Sequence, residues 1–288
     1  MREPLKVTKD TLLAKVAQIK YTGMTALGPA VLTSVAMAAQ GKPGSSVVLL
    51  TDGMANVGLG SMNDEEKAKQ YYKDVGVFAE ENGVSINIIS IDGAEANVDT
   101  LSQMADLTGG SVERADPLSL IDDVEGMLAA ANIASKVSVK VKLHKCLRFR
   151  NELAEYLSNQ ESLLERKFGN VTSESVFSFE YGLKPIADLL KIEDIDLEKL
   201  VKIPFQAQIY YTAKDGSKYL RVITQFLDVN NDREELEKKA NFDILSYNAM
   251  NKGTQMAKAG DLRQGQAILK TFKRQFKDSS KQDDTRKH

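Results

Sequence analysis

The 288-residue sequence has a single cysteine, no tryptophan, two histidines and six prolines. One thiol, Cys146, excludes an internal disulfide, so the core alone must hold the fold, and a reducing, cytoplasmic setting is expected. His144 and Cys146 alternate, as on a strand, but with no further histidine or cysteine nearby they cannot complete a four-ligand zinc site. His288 lies in a wholly polar stretch, so no Ser-His-Asp or Cys-His arrangement has folded elements to hold it. No run approaches the roughly 20 apolar residues of a membrane-spanning helix, and Met1 to Lys6 lack the apolar core of a signal peptide. Excess charge is also missing: 38 basic against 40 acidic residues leave a net charge of −2. Without a positive field to collect phosphates, nucleic acid is not an expected partner. The sequon Asn170-Val171-Thr172 reads as a strand entry.

With 42% hydrophobic and 27% charged residues, the composition is that of a globular protein with room for about two domains. Leu12, Leu13, Val16 and Ile19 recur at helical spacing over 9–20, and a second helix is predicted after Gly28-Pro29, ending at Gly41-Lys42-Pro43-Gly44. Val47-Val48-Leu49-Leu50 is a continuous apolar run, the pattern of a strand buried on both faces, and Asp52 falls at its carboxyl end. Asn63 and Glu66 form a capping box for a third helix ended by Gly83. A strand over 84–91, a helix near 97–107, a strand near 110–114 and a helix over 117–131 complete an α-α-β-α-β-α-β-α order, which implies parallel pairing.

Near residue 135 the period changes to two. Val137, Val139, Val141 and Leu143 alternate with polar residues, as do Phe177, Phe179 and Tyr181, and then Phe205, Ala207, Ile209 and Tyr211 before an Asp215-Gly216 hairpin signal. From Asp232 the helical period returns, and 279–288 is polar enough to predict a disordered tail. The sequence therefore divides into a partial α/β domain (1–134), a β-sandwich (135–230), a helical segment (231–278) and the tail.

In open parallel sheets ligands bind beyond the carboxyl ends of strands, which singles out Asp52 and the loop Gly23 to Gly28. A threonine hydroxyl at Thr25 beside the Asp52 carboxylate would give hard oxygen ligands suited to Mg²⁺. Thr25-Ala26-Leu27-Gly28-Pro29-Ala30 with Leu49-Leu50-Thr51-Asp52-Gly53 resembles the second and third elements of the metal-ion-dependent adhesion site of von Willebrand factor A (VWA) domains. The stretches Asp52 to Gly60, Lys69 to Asp74 and Leu107-Thr108-Gly109-Gly110 resemble the trunk of COPII inner-coat subunits and, more closely, the VWA region of circularly permuted Ras-type proteins.

The resemblance implies a doubly wound, Rossmann-like sheet followed by a β-sandwich and helices, and a protein-binding or scaffold role without catalysis. Two departures qualify it. The family's first metal motif, Asp-x-Ser-x-Ser, is absent, so about half the expected sheet is missing and Thr25 and Asp52 are expected to bind Mg²⁺ weakly or not at all. No Gly-x-x-x-x-Gly-Lys-Ser/Thr occurs either, and Gly58-Leu59-Gly60 lacks the third glycine of a dinucleotide loop. The chain is accordingly read as an interaction module completed at its exposed sheet edge by another protein chain. The alternatives are the C-terminal part of a GTPase-linked protein or a vesicle-coat-like subunit.

Overall fold

The computed structural model describes residues 4–20, 23–52, 54–91, 97–116, 118, 120–192, 202–230, 232, 235, 241–258 and 260–285. The first half has the element order read from the sequence: α1 (Leu5–Ala17), α2 (Leu27–Ala38), β1 (Ser46–Thr51), α3 (Glu65–Glu81), β2 (Ser85–Ile91), α4 (Val98–Thr108), β3 (Val112–Ala115) and α5 (Leu120–Ala129). The strands form a parallel sheet of order β1-β2-β3. Its central strand is buried on both faces: Ile86 and Ile88 pack with Val31, Tyr72, Leu101 and Met104, while Ile89 packs with Ala115 and Met127. Helices α2, α3 and α4 thus lie on one face and α5 on the other. Outside both clusters, α1 keeps Val7, Leu13 and Val16 exposed.

The second half is β-rich: β4 (Ala134–Leu143), β5 (Leu147–Arg150), β6 (Leu157–Ser158), β7 (Leu163–Val171), β8 (Glu180–Leu183), β9 (Lys202–Ala213) and β10 (Lys218–Asp228), with a short α6 (Ile186–Leu189). An antiparallel sheet of order β10-β9-β4-β7-β6 is faced by the β5-β8 ribbon, and Phe149, Phe177 and Phe179 fill the space between them. The second layer of the expected sandwich is therefore only a ribbon. Two helices follow, α7 (Phe242–Lys258) and α8 (Leu262–Thr285). They pack closely because a Cβ on Gly265 would stand 2.7 Å from the Gly253 carbonyl oxygen, a contact only glycine permits.

Several local expectations are corrected. Helix α1 spans Leu5–Ala17 and not 9–20, and α2 begins at Leu27, ahead of Gly28-Pro29, because proline is tolerated anywhere in the first turn. Asp64, not Asn63, caps α3, its carboxylate accepting from the Lys67 N–H at 3.2 Å. Phe177 and Phe179 precede a strand that starts only at Glu180. Helix α8 runs to Thr285 through the stretch expected to be disordered from Ser279. Beyond Gly265 it meets no glycine or proline, so an established helix propagates into polar sequence. Asp92-Gly93, Pro117, 193–196 and 236–240 lie outside the described residues, as do 286–288.

A polar cluster ties α7 to the β-layer. Glu180 on β8 pairs with Lys252 of α7, accepts from Asn248 Nδ2 at 2.6 Å and from Asn151 Nδ2 at 2.9 Å, and donates its backbone N–H to Glu152 Oε1 at 3.3 Å. Burial would raise the Glu180 carboxyl, but these donors outweigh it and hold the group below the ordinary glutamate value. For Glu152 burial wins over the Glu180 N–H and the nearby Arg166 and Lys252, and its carboxyl is pushed up. A raised folded-state value means that Glu152 favours the fold below about pH 4.5 and loses that contribution as the pH rises through its folded value. Glu152→Gln is therefore expected to raise the thermal midpoint at neutral pH, with the gain vanishing below about pH 4.5. Melting curves across that range measure it.

Candidate functional site

The carboxyl end of β1 is built by the loops that the sequence singles out. Thr51 is buried and Asp52 exposed where the strand ends. The chain then crosses to Thr25 and is clamped there by Asn56. Asn56 Oδ1 accepts the Thr25 N–H at 2.7 Å, while the Thr25 carbonyl accepts the N–H groups of Asn56 at 3.1 Å and Val57 at 3.3 Å. Asn63 reinforces the clamp by donating from Nδ2 to the Asn56 carbonyl at 3.1 Å, and the Met62 N–H reaches the Ala55 carbonyl at 2.7 Å.

Gly58-Leu59-Gly60 is structural. The loop lies against the start of α2 so tightly that a Cβ on Gly28 would stand 2.0 Å from the Leu59 carbonyl oxygen. Gly60, at φ +74°, would collide with the Tyr71 ring. Beneath it, the Tyr71 and Tyr72 rings meet edge to face at 5.4 Å. Burial, followed by the neighbouring Tyr71, pushes the Tyr72 hydroxyl up to about 12.

Thr25 and Asp52 therefore share one end of the sheet through the Asn56 clamp. Thr25 does not cap α2, whose N-cap is Ala26 with no side-chain bond, and both Thr25 and Asp52 are exposed. Among the described residues no group of three or more His, Cys, Asp or Glu converges here or elsewhere. Asn56 lies within the Asp52 to Gly60 stretch of resemblance, which assigns it no role. Its function rests on a side chain reaching backbone 31 positions away, a pairing with no periodic signal. Elsewhere, His144 Nδ1 lies 2.9 Å from the Cys146 sulfur, which is buried beside Leu147 and Leu189. Burial pushes the thiol up and lowers the imidazole.

A parallel sheet with helices on both faces and loops gathered at the carboxyl end of its edge strand is the arrangement of a VWA-like α/β fold. The fold agrees: with a TM-score of 0.53 and 17% identity the chain matches a von Willebrand factor type A protein from Catenulispora acidiphila over 85% of this chain and 58% of that one. Human COPII-coat protein Sec24c matches with a TM-score of 0.63 and 15% identity over 91% of this chain and 36% of that one. In sequence the chain is similar to circularly permutated Ras protein 1 of Dictyostelium discoideum, 31% identical over 266 residues. That alignment takes in 91% of this chain and 30% of the relative, so the chain spans less than a third of that protein's length. No family model matches the chain. The resemblance to VWA domains and to a COPII coat subunit thus stands on fold, and that to a circularly permuted Ras-type protein on sequence. Among the described residues no helix is long and apolar enough to cross a membrane.

Proposed function

We propose that the chain is a non-enzymatic protein-interaction module that engages another polypeptide at the β1 edge and the adjoining Thr25–Asn56 loop, with little help from metal. The observation that carries this reading is β1 itself: it pairs with β2 alone among the described strands and leaves Leu50 45% exposed at the carboxyl end. An apolar edge of this kind is a template for a further strand or a covering helix. Leu50→Glu is expected to abolish the association of this chain with its cellular partner. The same change at Phe226, on the far side of the molecule's second sheet, should leave it intact, and quantitative co-purification of both variants separates the two.

Mg²⁺ has only the Thr25 hydroxyl and the Asp52 carboxylate to replace its water shell, which is too few for tight binding. Titration calorimetry with Mg²⁺ is expected to give no saturable heat, and Asp52→Ala to match the parent chain. A single tight site would overturn this.

A second reading is favoured by the circularly permutated Ras relative: the chain would serve as the interaction part of a GTPase-linked protein. No phosphate-binding loop occurs in these 288 residues, so the purified chain is expected to hydrolyse no GTP above background. The Sec24c match bears on fold only, and a coat role would need membrane recruitment in cells to support it.

A further inference from the structure

Sheet edges are usually blunted by shortness, proline, bulges or inward charges. At the other end of its sheet, β6 is such an edge, only Leu157–Ser158. The β10 edge has none of these, though it carries Arg221 at mid-strand and Lys218 and Asp228 at its ends. It runs for 11 residues without proline or glycine, in unbroken register with β9, its one strand neighbour among the described residues. Both its faces are open: Tyr219 is 49%, Leu220 51%, Val222 50% and Phe226 64% exposed.

The hairpin fixes which backbone groups point outward. Ala213 donates its N–H to the Ser217 carbonyl at 2.9 Å, so the Ala213–Ser217 pair is hydrogen-bonded, and bonded pairs then recur at every second residue. Odd-numbered residues of β10 bond to β9, and the even-numbered residues from Lys218 to Asp228 turn their N–H and C=O groups to the free edge.

We propose that β10 is a self-association edge, along which two copies pair antiparallel about a two-fold axis at Ile223. Full overlap of two such strands sets Lys218 against the partner's Asp228, Leu220 against the partner's Phe226 and Val222 against the partner's Thr224. These are the even-numbered residues whose backbone groups are free, so the register of greatest overlap also satisfies the ladder. Opposite charges meet at both ends; between them Leu220 meets Phe226, Arg221 meets the neutral Gln225 and no like charges are opposed, which is the complementarity an isologous interface needs. Asp228 also stands 3.7 Å from Lys202 within its own sheet, an exposed pair that leaves it open to a second cation. The occupant is thus a second copy of this chain, and the surface is separate from the β1 edge proposed for the partner.

The test uses the whole 288-residue chain. Light scattering over a concentration series is expected to rise toward twice the single-chain mass. Val222→Pro, which removes an outward N–H that β9 does not use, should hold the mass at one chain while leaving the circular dichroism spectrum unchanged. Leu50→Glu should not alter the mass, which separates this claim from the β1 reading. Ile223→Cys places two sulfurs at the axis in a non-hydrogen-bonded pair, with Cα atoms about 4.5 Å apart, within disulfide range. It should crosslink on mild oxidation, whereas Gln225→Cys, displaced from the axis, should not; native Cys146 is buried and silent. A single-chain mass at every concentration would overturn the proposal, as would a dimer indifferent to Val222→Pro or equal crosslinking at 223 and 225.

Discussion

Gly109→Val is expected to leave the chain unable to fold, the largest effect of any single substitution considered. Gly109 ends α4 in the left-handed region at φ +71°, and a Cβ there would stand 2.0 Å from the Asn170 carbonyl oxygen and 2.6 Å from that of Phe168. A β-branched side chain would be strained in backbone and would overlap main-chain atoms of β7 that cannot rotate away. Across the same contact, a Cβ on Gly169 would lie 2.6 Å from the Thr108 carbonyl carbon. Asn170 closes the joint by donating from Nδ2 to the Thr108 carbonyl at 2.8 Å, while the Thr108 hydroxyl accepts the Ile86 N–H at 3.0 Å. The α/β half and the β half are therefore seated on each other by two glycines. A loss above about 4 kcal/mol follows, against a total stability of roughly 5–15 kcal/mol. Urea titration measures it. Gly126→Ala, in α5 with nothing within 4 Å of its Cβ, serves as the comparison and is expected to stabilise by about 0.5–1 kcal/mol. An unshifted midpoint for Gly109→Val would refute the joint.

Glu180→Ala is expected to cost about 3 kcal/mol at neutral pH, because it strands the Lys252 ammonium, 9% exposed, without its carboxylate. That figure takes the low end of the range for broken buried pairs, since the Glu180 side chain is 34% exposed and partly screened. Glu180 has a folded-state value below the ordinary one, so its contribution is present above about pH 4.5 and is lost as the pH falls through the lower folded value. The difference between Glu180→Ala and the parent chain should shrink accordingly in acid. Lys252→Met keeps the aliphatic stem and removes the ammonium, and is expected to be milder. Urea midpoints at neutral and acid pH check both, and equal losses at every pH would contradict the ionic account.

The sequence made the α/β half legible because its signals are local. Val47 to Leu50 is a continuous apolar run, Val84 to Ile91 is an isoleucine-rich stretch of strand length, and Tyr72, Val75 and Ala79 repeat at helical spacing on α3, which together predict the element order and the parallel pairing. The carboxyl end of β1 was found for the same reason, since Asp52 directly follows a run. What escaped notice depends on tertiary contact. Leu107 to Gly110 reads as a stretch of resemblance and Asn170 as a strand entry, and only their packing makes them one joint. The Asn56 clamp is long-range in the same sense. At the end of α8 the low apolar content predicts disorder, while Lys281, Gln282 and their neighbours carry no helix breaker.

Amide exchange along β1 in the isolated chain tests most directly the claim that this edge is open to a partner. The Ser85 N–H bonds to the Ser45 carbonyl at 2.9 Å, so Ser45, Val47 and Leu49 turn toward β2 while Val48 and Leu50 turn their N–H groups to the free edge. Exchange at Val48 and Leu50 is expected to be at least about tenfold faster than at Val47 and Leu49, and to slow when the partner binds. Uniformly slow exchange along Val47 to Leu50 in the chain alone would mean that the edge is already covered, and would contradict the account.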